Sequence, residues 1–353
     1  MTTVLQTPHR IYKRYQSLVE SAITAVGLGL LVAGALASMP VYPPNWAPVL
    51  VAGVIILALR WTAAAYILAA LVVVYPVYTI SLYLAILFVA LAVLAHRPLS
   101  HYLGATVLIL AVPLLAKYHL HWTVPILAGL WWGTVNGFWI AGAAALWGKL
   151  LGGMAGLNID WLAMAGQSPA VAGLMQRFHG LDALETLLKI LQPFAADATV
   201  LLYHLLQIVL WAVAGALVGF LARQKWIQHR YPWSILVTTA AGAAALVAGH
   251  ILLFGWLTEA APAAPNYNYL IVGAVAAMLV GGSLEATRKF LDFPLVLRAK
   301  KKKPVAPAAS PTATSQPPQR QVATPKRAPV PLPELPEWKP PDEDNDLILL
   351  ELD

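Results

Sequence analysis

Cysteine is absent from the chain, which excludes disulfide frameworks, thiol nucleophiles and thiolate metal sites but does not fix a compartment. Charge is scarce too. Asp, Glu, Lys and Arg make up 11% of the 353 residues, against about 25% in a typical soluble domain, and many of them lie beyond Arg288. There is no H-E-x-x-H, G-x-S-x-G, phosphate-cradling loop or dinucleotide fingerprint. No apolar run carries paired carboxylates, the usual relay of proton-driven pumps, and no repeat recurs at a fixed period. An intramembrane enzyme is therefore the least supported activity, and no cofactor or metal is implied.

Apolar sequence is what remains. Hydrophobic residues make up 59% of the chain, and from Ser21 to Gly282 they form runs separated by short polar breaks. A water-soluble fold cannot cover that much apolar surface, so a lipid bilayer is the expected solvent. The net charge of +7 does not signal nucleic acid, because the basic residues flank apolar runs, as the positive-inside bias requires. The expected fold is an all-α, polytopic transmembrane bundle with an external amphipathic helical hairpin and a disordered C-terminal tail. Arg10, Lys13 and Arg14 before an apolar run that ends near Ala35-Leu36-Ala37 resemble a signal peptide. Further runs follow at once, which favours an uncleaved first helix.

The expected organisation has a cytoplasmic N-terminus (1–18), N-terminal transmembrane helices (19–149), an extracytoplasmic hairpin (150–197) and three further transmembrane helices (198–287). A basic juxtamembrane segment (288–303) and a Pro-rich tail (304–353) with an acidic and apolar end complete it. In the hairpin, Ser168-Pro169 reads as a cap and first helical position, Gly180 as a stop, and Asp182 to Leu191 as a second helix. Arg223 to Arg230 is basic, the next loop carries only Glu259, and basic residues follow the last run. Both termini are thus expected on the cytoplasmic side of the cell membrane, which requires an even number of spans. Ala47–Leu59 covers only about 20 Å, so it is either a half-span or part of a longer helix through Arg60. Eight spans are expected, with ten as the alternative.

Gly129, Gly133 and Gly137 form overlapping G-x-x-x-G motifs, and Gly215 with Gly219 repeats the device; close helix packing is the expected role. Asn136, His204, Gln207 and His250 are polar residues within apolar runs. Such groups need partners inside the bundle or a polar cavity, and they are the candidate solute-binding residues. Glu285 and Arg288 read as an interfacial ion pair. Lys300, Lys301, Lys302 and Lys303 follow the last run and are expected on the lipid surface. Leu347, Ile348, Leu349 and Leu350, ringed by acids, suit docking of a cytoplasmic partner. Two readings follow: a permease-like protein binding a small, neutral or largely apolar solute, or a scaffold presenting its tail to a soluble protein.

Overall fold

The computed structural model describes residues 2–167, 169–228, 233–258 and 267–292. Ser168, Arg230, Glu259, the four lysines from Lys300, the Leu347–Leu350 cluster and the tail lie outside the described residues. Every regular element among the described residues is an α-helix.

Helix α1 (Thr2–Ser38) bends at Tyr15, whose φ of −119° and ψ of 23° are not helical. The long apolar run after it divides into α2 (Trp46–Arg60), α3 (Thr62–Ile80) and α4 (Leu82–Leu94). The breaks are single residues: Trp61 has φ −132° and ψ 88°, and Ser81 is extended. Arg60 therefore ends a short separate helix and does not sit inside a longer one. Pro76 leaves α3 unbroken. Proline removes the hydrogen bond to the carbonyl four residues back; here that carbonyl, on Val72, accepts the Tyr42 hydroxyl at 3.0 Å. A short α5 (His96–His101) leads into α6 (Leu103–Lys117). A methyl on Gly27 would lie 2.9 Å from Val107, and one on Gly104 3.6 Å from Thr24, so α1 and α6 run parallel.

Helix α7 (Thr123–Met154) is helical in its hydrogen bonding but reverses at Gly133, where φ is 78° and ψ −165°. That backbone region is essentially open to glycine alone. A methyl on Gly137 would lie 2.9 Å from the Gly129 Cα, whereas in one straight helix these residues stand about 12 Å apart. The chain therefore folds back. Two antiparallel arms result, 123–132 and 134–154, with Gly129 and Gly137 letting their backbones meet.

Three short helices follow: α8 (Trp161–Met164), α9 (Val171–Phe178) and α10 (Ala183–Leu191). The last two lie within the segment where a helical hairpin was expected, with α9 starting at Val171 and Pro169 and Ala170 outside it. Asp182 accepts from the Glu185 N–H at 2.7 Å while the Glu185 carboxylate accepts from the Asp182 N–H at 3.1 Å, a reciprocal cap that fixes the start of α10. Helix α11 (Ala198–Ala222), a turn of α12 (Lys225–Gln228), α13 (Trp233–Trp256) and α14 (Tyr267–Asp292) complete the bundle. Gly219 packs on Gly133 and Thr134, Gly215 on Gly137 and Ala141, and Gly142 on Ala212. The second arm thus runs antiparallel to α11 along a seam of small residues.

Among the described residues, six helices are long and apolar enough to cross a membrane: α1, α3, α7, α11, α13 and α14. The chain is a multi-pass helical membrane protein. The count by length is six where eight or ten were expected, because α2, α4 and α6 are apolar but shorter. Leu30, Leu94, Leu252 and Ile271 are each at least 60% exposed, the lipid-facing surface such helices require.

Candidate functional site

A lysine is costly to bury unless all its protons find acceptors. Lys149, on the second arm of α7, is fully buried and meets that condition. Its ammonium donates to the Ile159 carbonyl at 2.6 Å, to the Gln207 side-chain oxygen at 2.6 Å and to His204 Nδ1 at 3.1 Å. Acceptance at Nδ1 puts the His204 ring proton on Nε2.

The compensating charge is Asp160, also buried. It caps α8, accepting the Leu162 N–H at 3.2 Å, while its own N–H is held by the Asn158 side chain at 3.0 Å. The Gln207 amide donates to Asp160 Oδ1 at 2.8 Å and the Tyr203 hydroxyl donates to Oδ2 at 3.2 Å. Ammonium and carboxylate are therefore joined through one amide. Only one orientation of Gln207 serves both, so the network fixes it.

Glycines bring the pieces together. Gly148 leaves room for the Trp161 ring, and a methyl on Gly152 would lie 2.6 Å from the Met164 sulfur. Without these gaps the Asp160–Gln167 segment could not close onto the arm that carries Lys149.

Beside the network lies a cluster of rings. Trp161 stacks on Trp211 with centroids 4.4 Å apart, and His121 stacks on both, at 5.4 Å and 5.9 Å. Trp122 lies 5.8 Å from His121 and 5.2 Å from His250. Lys149 sits 5.9 Å from the centroid of the Trp161 ring, joining the two groups. All five rings are buried, yet Nε1 of Trp122, Trp161 and Trp211, Nδ1 of His121 and Nε2 of His250 have no hydrogen-bond partner among the described residues. An unsatisfied buried polar group costs about 1–3 kcal/mol, so five in one cluster point to something that partners them.

The sequence candidates divide. His204 and Gln207 stand inside the network, and His250 belongs to the ring cluster. Asn136 is exposed on the far face of its arm and meets none of them. The glycine candidates Gly129, Gly133, Gly137, Gly215 and Gly219 all lie on the α7–α11 seam. Glu285 pairs with Lys289 at 3.6 Å and accepts the Trp131 indole N–H at 3.1 Å. Arg288, the partner expected for it, lies 6.0 Å from the centroid of the Trp131 ring.

Lys149 and Asp160 did not stand out as site residues. A lysine closing an apolar run reads as an interfacial anchor. The one available signal was Asn158-Ile159-Asp160-Trp161, a capping pattern within an apolar neighbourhood. Among the described residues, no group of three or more His, Asp and Glu side chains could hold a metal ion.

No protein family matches the chain, and no curated protein or solved structure does.

Proposed function

We propose that the chain is a permease-like membrane protein that receives a small solute at the Lys149–Gln207–Asp160 network and the adjoining rings. One observation carries this reading: five buried polar ring atoms without partners lie beside a complete, charge-balanced network within a bundle of membrane-crossing helices. A purely structural network has no need of unpaired neighbours. The Asp160–Gln167 segment is the natural gate, since Asp160 is its tie to α11 and Gly166 donates to the Ala116 carbonyl at 2.9 Å.

The topology that supports this reading has eight spans with both termini cytoplasmic. Helices α1 to α4, the second arm of α7, α11, α13 and α14 cross, while α6 and the first arm form a re-entrant pair. That arm reaches only about 15 Å, half of the roughly 30 Å hydrocarbon core. Alternating directions then gather Arg14, Arg60, Arg97, Arg223, Arg288 and Lys289 on the cytoplasmic side, as the positive-inside bias demands. The α9–α10 pair lies on the opposite surface, where the exposed leucines of α10 meet the headgroup boundary.

Osmotic swelling of proteoliposomes tests the function. The full chain should admit at least one small solute faster than empty vesicles, and Asp160→Asn should abolish the excess while the protein still inserts. Equal swelling with and without protein across neutral, anionic and cationic solutes would sink the proposal.

A further inference from the structure

Resting on the solute-centre reading above, the hydrogen-bond inventory of the ring cluster narrows what the solute can be. Indole N–H groups only donate, so Trp122, Trp161 and Trp211 present three donors. His250 Nδ1 lies 2.8 Å from the Leu246 carbonyl, which only accepts, so Nδ1 holds the proton. The neutral ring then leaves a lone pair on the unpartnered Nε2. His121 Nδ1, also unpartnered, can take either role.

Among the described residues, the charges beside the cluster are already paired. All three ammonium protons of Lys149 are used, on Ile159, Gln207 and His204. Asp160 accepts from Leu162, Gln207 and Tyr203 and offsets the lysine charge through the Gln207 amide. A buried anion or cation would find no counter-charge and would keep its desolvation cost.

We propose that the Trp122–Trp161–Trp211–His121–His250 cluster binds a small uncharged solute of the amide or lactam class, whose carbonyl oxygen accepts from the indoles and whose N–H donates to His250. A carbonyl oxygen has two lone pairs and takes two of the three indole protons. An amide N–H supplies the one proton that His250 lacks.

Saturation-transfer NMR on the full chain in nanodiscs, with empty nanodiscs subtracted, reads binding of acetamide, 2-pyrrolidone, acetate and methylammonium. Acetamide and 2-pyrrolidone should receive saturation, and acetate and methylammonium should not. Trp161→Phe keeps an aromatic ring but removes the N–H together with part of the indole, so it should weaken the amide signal at least fivefold, while the melting temperature reads the packing loss separately. His250→Leu should do the same, and Asn136→Leu, on the exposed face, should leave the signal intact. Transfer to acetate or methylammonium in place of the amides overturns the solute class and leaves the solute-centre reading standing. No transfer to any probe in well-folded protein overturns the amide assignment, and the swelling assay then decides the solute-centre reading separately.

Discussion

Gln207 is the residue on which the buried charges depend. It spans Lys149 and Asp160, so its replacement strips one charge-assisted bond from each. Such bonds contribute about 1.5–3 kcal/mol apiece, so Gln207→Leu should destabilise the bundle by roughly 3–6 kcal/mol. Lys149→Met leaves Asp160 buried without its counter-charge, and Asp160→Asn does the reverse; each should cost about 3–5 kcal/mol. The double variant removes both charges together and should fall well short of the sum, because contacting sites are not additive. Melting in nanodiscs compares the four proteins, and strict additivity would mean that the two charges do not sense one another. At this scale the sequence was legible in part. His204, Gln207 and His250 were visible because polar groups inside apolar runs are costly. Asp160 and Lys149 lie at the edges of such runs, where a charge is ordinary, and only the folding-back of the Asp160–Gln167 segment buries them.

The hairpin within α7 belongs to the element scale. Hydropathy gives no sign of it, since both arms are apolar and no polar turn separates them. The three glycines at four-residue spacing were legible as a packing surface. That the middle one is the reversal was not, because a positive φ leaves no trace in a pattern of side chains. Gly133→Ala forces a β-carbon into a glycine-only conformation, a strain of about 1–3 kcal/mol, in space the Arg223 side chain already occupies. It should melt lower by that amount, whereas Gly34→Ala, whose β-carbon meets nothing within 4 Å, should be close to neutral. The reversal itself has a cleaner test in a chain without cysteine. Ala128 and Ala141 share one packed cluster, so cysteines at both positions should cross-link under mild oxidation. A continuous helix would hold them about 20 Å apart and give no cross-link.

At the scale of the whole molecule, the helical membrane class followed from composition, while the number of crossings did not. Periodicity marks where apolar runs begin and end, but single-residue breaks such as Trp61 and Ser81 are invisible to it, and a short helix can cross, dip or turn back. With native cysteine absent, single cysteines read sidedness without background. A membrane-impermeant maleimide should label Ser17→Cys and Arg97→Cys from the cytoplasmic face, and Asn45→Cys and Ala196→Cys from the opposite face. Tyr118→Cys decides between eight spans and ten. It lies at the turn between α6 and the first arm of α7, where a Cβ on Gly166 would sit 3.3 Å from the His119 ring and the Gly166 N–H caps the Ala116 carbonyl at 2.9 Å. Tyr118 is 65% exposed; on the eight-span reading that exposure faces hydrocarbon, because the first arm reaches only about 15 Å, so Tyr118→Cys should resist the reagent in intact vesicles. Ready labelling from outside would mean that both helices cross. The count would then be ten, with the termini still on the same side, and the ring cluster would lie next to the outer solution instead of beneath a gate.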